Sequence, residues 1–309
     1  MASVRSRPPN RETRLMRQTS RFFVLAAAAV GLAACEDTNA PASLDRDINL
    51  AVAQASGQTV ANDLTAGESL RAEATGTGSF LGLTDGGMHN QQGPNGTPRA
   101  PNGCVLNPTL MRFDCGRSRR SPASGLGERD YTRSVQFFDG AGAVQAGYDS
   151  ITTARIVWLV ADTGGFSRRR GTAMLADSSA RSSRRELSNL AGHPDTLHIW
   201  NGEGSSFHLT SRPTATGMVQ TVTMFATDTT SNLRYRLPRS QHPYPVAGII
   251  VRNVEVSRVR TSSDSVSVNP IRSRRVMIEF NGTSTATMTV NGQVFDLDLA
   301  TGEVTPRSA

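Results

Sequence analysis

Residues 276–299 have the sequence VMIEFNGTSTATMTVNGQVFDLDL, and this stretch decides the fold class of the chain. Apolar and polar residues alternate in three short segments, which is the pattern of antiparallel strands that bury one face. The Asn-Gly pair at 291–292 is a strong two-residue hairpin signal, and the Asn-Gly-Thr turn at 281–283 separates the first two segments. A hairpin at 291–292 sets Phe295 opposite Met288, so one face of the meander is apolar throughout.

The same kind of sequence begins at position 104, where short segments with a strand pattern are separated by turn residues. We therefore expect an all-β domain over residues 104–309, built of about ten antiparallel strands in hairpins and meanders. Periodicity leaves three architectures open, namely a sandwich, a barrel and an open half-barrel.

Three segments inside this domain carry more specific predictions. Residues 154–160 contain a continuous apolar run, which is typical of a strand buried on both faces. Residues 162–192 are rich in Arg and Ser and are predicted to be a polar insertion. Over residues 249–259 the apolar residues change from odd to even positions between Val251 and Val254, which indicates a β-bulge.

A further hairpin is predicted over residues 197–209, LHIWNGEGSSFHL. Its loop is residues 202–204, Gly-Glu-Gly, because a three-residue hairpin loop needs a glycine in the left-handed conformation. This register buries Ile199 and Phe207 on one face. The opposite, wetter face then sets two histidines across from one another.

Those two histidines, His198 and His208, are the best metal candidate in the sequence. Imidazoles at facing strand positions can share a metal, and His193 or Asp195 lies nearby in the chain. No spacing fixes a third ligand, so the preferred interpretation is a pair of solvent-face histidines. We therefore predict no metal site and no cofactor.

No catalytic constellation is found in the sequence. It contains no G-x-S-x-G elbow and no H-E-x-x-H pair, and because lysine is absent it cannot form a G-x-x-x-x-G-K phosphate loop. Asp296 and Asp298 are alternate carboxylates, which we expect to keep an exposed strand soluble and its edge unpaired rather than to act in acid–base catalysis. We assign no catalytic residue and expect no enzymatic activity.

Two of the three cysteines form a pair. Cys104 and Cys115 end the segment CVLNPTLMRFDC, which predicts a hairpin that turns around residues 108–111. Directly opposed residues of such a hairpin have Cβ atoms about 4.5–5.5 Å apart, which small adjustments bring into disulfide range. We predict a disulfide between them, as expected in an oxidising compartment.

The third cysteine, Cys35, ends an N-terminal leader. Residues 21–35, RFFVLAAAAVGLAAC, place a basic residue before an apolar run and small residues before the cysteine, which is the order of a secretory signal. The apolar run 22–32 is shorter than the roughly 20 residues needed to span a bilayer. Met16 would begin a compact leader, and residues 1–15 then either precede the start of translation or lengthen the basic region.

The ending Leu32-Ala33-Ala34-Cys35 resembles the lipobox of bacterial lipoproteins. The resemblance implies a diacylglycerol on the sulfur of Cys35, cleavage just before it, and acylation of the new amino group by a fatty acid such as palmitate. It makes residues 1–34 a signal peptide and the membrane a partner, with the protein anchored in the cell envelope on the periplasmic or surface face of the outer membrane. The mature part also resembles uncharacterised β-rich secreted lipoproteins of GC-rich bacteria.

Residues 35–103 are predicted to be a tether. A short helix begins at Leu44, because apolar residues such as Ile48 and Val52 then fall on one face. Residues 84–103 hold almost nothing to bury, and we expect a mobile loop there.

The charge balance limits the class of partner. Six of the 33 arginines and one of the 26 acidic residues lie in residues 1–34, which leaves 27 and 25 in the rest of the chain. Such a near balance argues against a nucleic-acid partner.

These observations favour a lipid-anchored envelope protein that acts as a non-enzymatic binding or structural module. Its expected partner, besides the membrane, is an apolar ligand or another envelope protein. Two alternatives stay open. The first is a periplasmic half-barrel that carries lipids or lipoproteins, and the less favoured second is a metal-dependent hydrolase.

Overall fold

The computed structural model describes residues 42–75, 104–120, 127–170, 173–190, 197–214, 218–262 and 264–307. They form one helix, α1, at Ala42–Thr75. The strands are β1 Cys104–Asn107, β2 Arg112–Arg120, β3 Gly127–Asp139, β4 Val144–Gln145, β5 Thr153–Arg170, β6 Ala173–Ser188, β7 Leu197–Pro213, β8 Val219–Arg236, β9 Ala247–Thr261, β10 Val266–Glu279, β11 Thr285–Val290, β12 Gln293–Asp298 and β13 Val304–Pro306.

All 13 strands belong to one antiparallel sheet. Its order follows the chain from β1 to β13, except that the short β4 pairs only with β3, which also pairs with β5. In the described part of the chain no pairing joins β1 to β13, so the sheet is open. The predicted all-β class is confirmed, and the two closed or layered alternatives give way to a single open meander.

The C-terminal meander has the predicted register. Phe295 pairs with Met288 between β12 and β11, and both side chains are fully buried. The turn at 291–292 has positive φ at both positions, 44° at Asn291 and 85° at Gly292, as a type I′ turn requires. Alternation of side chains and turn chemistry therefore agree in this part of the sheet.

The disulfide hairpin is also confirmed. Cys104 and Cys115 are cross-strand partners of β1 and β2, and their sulfur atoms are bonded. The turn between them contains Met111 at a φ of 45°. The bond fixes β1, the four-residue edge strand of the sheet.

The central strands are much longer than the sequence predicts. The expected polar insertion at 162–192 is wrong, because β5 and β6 form one hairpin of paired strands across most of it. The expected hairpin at 197–209 is also wrong, because β7 runs unbroken from 197 to 213. A strand can be polar on both faces where its neighbours satisfy the backbone, so periodicity alone places such segments in loops.

The two glycines assigned to that turn, Gly202 and Gly204, have another role. Neither has a positive φ. A Cβ at Gly202 would lie 2.9 Å from the carbonyl oxygen of Arg184 on β6, and one at Gly204 would lie 3.0 Å from the carboxylate oxygens of Asp228 on β8. They permit close approach of neighbouring groups and do not turn the chain.

The predicted bulge between Val251 and Val254 is wrong as well. The pairing of β9 with β8 is continuous from Ile249 to Thr261. The alternation of apolar residues is interrupted because Arg252, which is only 5% exposed, occupies an inward position between Ile250 and Val254. A buried arginine, rather than an extra residue, breaks the pattern.

Helix α1 is far longer than the short helix expected within the tether. It has 34 residues and belongs to the same compact unit as the sheet. Its first half contacts β10 to β13, and its second half reaches Trp200 of β7. We call the face of the sheet that α1 covers the inner face.

The buried side of α1 consists mainly of small residues, which let the helix lie close to the sheet. Its buried positions are Asn49, Val52, Ala53, Ser56, Gly57, Val60, Ala61, Asp63, Gly67 and Leu70. These positions recur every three or four residues, so they form one stripe. The apolar members pack into the core cluster of the inner face, where Trp158 stacks on Trp200 with ring centroids 5.2 Å apart.

Candidate functional site

A cluster of charged side chains lies where the second half of α1 crosses the middle of the sheet. Asp63 of α1 is 7% exposed and accepts hydrogen bonds from two arginines of β6. Arg185 Nη2 lies 3.0 Å from Asp63 Oδ2, and Arg181 forms a second ion pair with the same carboxylate. One acid thus holds two guanidinium groups against the helix.

Opposing effects set the pKa of Asp63. Burial acts to raise it, because a desolvated carboxylate is costly. The positive charge of Arg185 and the hydrogen bond from Arg181 outweigh burial, so the pKa lies below the ordinary value of an aspartate. Asp63 is therefore ionised at neutral pH and serves as the counter-charge of both arginines.

A third arginine of the cluster, Arg252 of β9, is more deeply buried and less well paired. Its Nη2 atom donates a hydrogen bond to Ser206 Oγ at 3.0 Å, whereas its Nε atom is buried and has no partner. Burial lowers the pKa of Arg252, and the negative charge of Asp228 offsets part of this effect. The guanidinium still carries its charge at neutral pH, since the pKa of arginine starts above 12.

Asp228 does not neutralise Arg252 by direct contact. The two residues are cross-strand partners of β8 and β9, yet no hydrogen bond or ion pair joins them among the described contacts. The Asp228 carboxylate lies instead over Gly204 on the neighbouring strand β7, where the missing Cβ leaves room for it. Arg252 thus has an acid nearby in space but an unbonded donor.

A cavity of about 30 Å³, which Arg252 helps to line, lies between α1 and the sheet. By this measure a water needs about 10–15 Å³, so the space suits one or two waters or a group of similar size. Its charged wall contains two arginines, Arg185 and Arg252, and three acids, Asp63, Glu68 and Asp228. Its other wall contains mainly apolar side chains and the flat face of Trp200, as follows: Val60, Leu64, Trp200, Leu233, Tyr235 and Ile250.

A second group of polar residues lies toward the C-terminal end of α1. Arg239 contacts Glu68 at 2.9 Å and stacks over the ring of Tyr235, with its Cζ atom 3.6 Å from the ring centroid. Burial raises the pKa of Tyr235. The Nε and Nη1 atoms of Arg239 and the Nδ1 atom of His198 are buried and have no hydrogen-bond partner.

His198 is neutral in this group. Burial and, less strongly, the charge of Arg71 lower its pKa to about 4. A neutral imidazole fits a position on the inner face beside Trp200 better than a charged one.

The geometry proposed for a histidine metal pair is absent. His198 and His208 lie on one strand, ten residues apart, so about 33 Å of extended chain separates them. His208 instead contacts Thr210 Oγ1 at 2.8 Å and Asp177 Oδ2 at 3.3 Å. Within the described residues no group of three or more His, Cys, Asp or Glu side chains is arranged to hold a metal ion.

The paired carboxylates at the C-terminus have structural roles. Asp296 bonds to Arg307 on the segment after β13, and Asp298 accepts hydrogen bonds from the backbone of Ala300 and Thr301. Because β12 pairs with β13 here, the two acids do not lie on an unpaired edge as expected. Cys35, together with His193 and Asp195, lies outside the described residues, as does the predicted loop at 84–103.

No sequence pattern points to the charged cluster. The patterns place Asp63 in the tether, Arg185 in a polar insertion and Arg252 at a bulge. The available signal was the run Ile250, Arg252 and Val254, in which an arginine occupies an inward position of an otherwise apolar face. An inward arginine in a predicted strand points to a buried partner.

Comparisons with known proteins identify no relative of this chain. No protein-family model matches the chain, no curated protein matches it, and no solved structure matches it. Among the described residues, no helix is both long and apolar enough to cross a membrane.

Proposed function

We propose that the protein is a lipid-anchored component of the bacterial cell envelope whose β domain acts as a non-enzymatic binding module. The anchor rests on the order of basic, apolar and small residues before Cys35. A single acyl chain holds a protein only reversibly, so two or three chains on this residue would provide stable attachment. The expected location is the outer membrane.

One observation supports the binding role, namely the cavity under α1, which charged side chains line on one side and Trp200 with other apolar side chains on the other. The cavity lies between an apolar wall and a charged wall. That arrangement suits recognition of a small polar group by charge and shape.

The test of the anchor uses Cys35→Ser in a bacterial host. The wild type is expected to take up labelled palmitate and to sediment with membranes, and the variant to lose the label and leave the membrane fraction. Cys115→Ser is the control, because its loss breaks the disulfide but leaves the leader intact. Equal label and equal membrane content in Cys35→Ser and wild type would refute the anchor.

A second candidate is a carrier of lipids or lipoproteins. The open antiparallel sheet favours it, since among the described residues one helix, α1, covers its apolar inner face. In this role α1 would move away and expose the apolar residues of the inner face. Native mass spectrometry of the purified protein tests this candidate. A co-purifying lipid supports it, and its absence under gentle extraction counts against it.

A further inference from the structure

We propose that the end of the sheet where β9 turns into β10 is a membrane-contact surface, which lies against the anionic head groups of the bilayer that holds the anchor. The inference rests on the proposed lipid anchor and adds a second point of contact to it. Four aliphatic side chains are exposed at this end, each between 41% and 66%, and we call them the tip patch: Val219, Val266, Val268 and Ile271.

The tip patch is formed by the start of β8 and the start of β10. Val266 and Val219 both pair with Thr261 of β9, so the three residues share one face of the sheet. Val268 follows Val266 by two positions and lies on the same face. A register shift in β10 leaves Ile271 without a pairing partner on β9. Exposed aliphatic residues that are grouped in this way mark interaction surfaces, whereas single ones are ordinary.

Positive charge accompanies the tip patch. The charged residues described within 209–223 and 257–271 are three arginines and one acid, as follows: Arg212, Arg258, Arg260 and Asp264. Arg258 and Arg260 occupy alternate positions of β9 and so lie on the face opposite to that of the valines. Long arginine side chains reach past a thin edge of sheet to a polar surface. Anionic lipid head groups attract such a group of arginines.

The proposed anchor is joined to the same end of the sheet by a short length of chain. Residues 36–41 connect Cys35 to Ala42, the first residue of α1, and a chain of this length extends to about 25 Å at most. In the first turn of α1, Asp45 Oδ1 accepts a hydrogen bond from Arg272 Nη1 of β10 at 3.1 Å. The start of the helix is thereby fixed to β10.

The fixed start of α1 lies close to the tip patch. Arg272 pairs with Val256 of β9, and Val268 pairs with Val259. Three residues of β9, or about 10 Å, therefore separate the two positions along the strand. The tether is long enough for the tip patch and the lipid to reach one bilayer.

A second group of exposed aliphatic residues lies at the opposite end of the sheet and differs in charge. It includes Ile151, which is 81% exposed, and Val144. Residues 139–153, which contain both, carry two acids, Asp139 and Asp149, and no basic residue. An anionic membrane surface repels carboxylates and attracts arginines. Charge therefore favours the tip patch as the end that contacts the bilayer.

The experiment introduces one tryptophan at either end of the purified, lipidated protein. The protein is reconstituted into vesicles of phosphatidylcholine and phosphatidylglycerol whose acyl chains carry bromine, which quenches tryptophan on contact. Val268→Trp should lose its added fluorescence by about twofold or more, because apolar groups at an interface lie about 5–10 Å into the head-group boundary. Ile151→Trp is the matched control, since this position is also exposed, and its fluorescence should not change.

The outcomes separate the tip patch from the anchor. The measurement uses protein that floats with vesicles and carries the palmitate label. In such protein, absent quenching in Val268→Trp, or equal quenching in both variants, would overturn the proposal and leave the anchor standing. Absent quenching together with a dimer in detergent would assign the tip patch to a second copy of the chain instead. Protein that carries no label and does not float would refute the anchor and this proposal with it.

Two double variants test the arginines in the Val268→Trp background. Arg258→Gln with Arg260→Gln should reduce the quenching in vesicles that contain phosphatidylglycerol, and most strongly at low salt. Arg234→Gln with Arg236→Gln is the control, because these are exposed alternate positions at the other end of β8. An equal reduction in both double variants, or none in the first, would contradict attraction of the tip to anionic lipid.

Discussion

Two glycines of α1 offer a matched pair of substitutions that tests how closely the helix packs on the sheet. A Cβ added at Gly57 would lie 2.7 Å from Val304 Cγ2 and 2.8 Å from the carbonyl oxygen of Gly302. A Cβ added at Gly67 would meet only the ring of Trp200, at 3.7 Å, which is ordinary van der Waals contact. The same change, glycine to alanine, therefore meets a clash at one position and open packing at the other.

The magnitudes follow from two opposing effects. Alanine is favoured over glycine in a helix interior by about 1 kcal/mol. Gly67→Ala should gain up to about this amount in free energy of unfolding. At Gly57 overpacking costs about 1–3 kcal/mol, because the carbonyl of Gly302 belongs to the backbone and cannot rotate away. Gly57→Ala should therefore lie about 1–3 kcal/mol below Gly67→Ala.

Urea unfolding measured by tryptophan fluorescence gives both values, since Trp158 and Trp200 are buried in the core cluster. The comparison is between two variants that differ only in position, so the effect of alanine on the unfolded chain cancels. If Gly57→Ala is stabilised as much as Gly67→Ala, the helix does not lie against β12 and β13 as described. Destabilisation of both to the same extent would contradict the difference in packing.

Two further predictions concern the edge strand and the buried histidine. Reduction of the Cys104–Cys115 disulfide should lower the free energy of unfolding by on the order of 3 kcal/mol or less, because the loop that it closes is short. It should speed amide exchange in β1 and β2, while the amides of the C-terminal meander keep their protection. A uniform increase in exchange would contradict this prediction. Because the pKa of His198 is lowered to about 4, the unfolded state binds a proton between about pH 4 and 6.5 that the folded state does not, so stability should rise with pH through this window. His198→Gln should flatten that rise in urea unfolding at several pH values, and an unchanged slope would refute the burial of this ring.

The parts of the fold that sequence could predict are those in which several local signals agree. In the C-terminal meander, alternation, the Asn-Gly pair and the facing positions of Phe295 and Met288 all specify one register. The cysteine pair behaves in the same way, because a short segment with opposed thiols permits few other arrangements. Both regions depend on contacts between close neighbours in the chain.

The parts that could not be predicted depend on partners that are distant in the chain. The central strands are polar on much of both faces, and only pairing with their neighbours identifies them as strands. The length of the helix could not be predicted because most of its buried stripe consists of small or polar residues, such as Ala53, Ser56 and Gly57, which give a weak apolar signal. The charged cluster was missed because Asp63 and Arg185 are more than 100 residues apart.

The order of the strands has a consequence for the sequence in which the domain can form as the chain is synthesised. Each hairpin can form as soon as its two strands have been synthesised, because strands that pair are adjacent in sequence. Helix α1 precedes all the strands in the chain, yet some of its contacts are with the last strands: Asn49 bonds to Gln293, 244 positions later. Until β10 to β13 have been synthesised, the stripe of α1 that packs on them stays exposed to solvent. The helix therefore depends on the last strands for protection from aggregation.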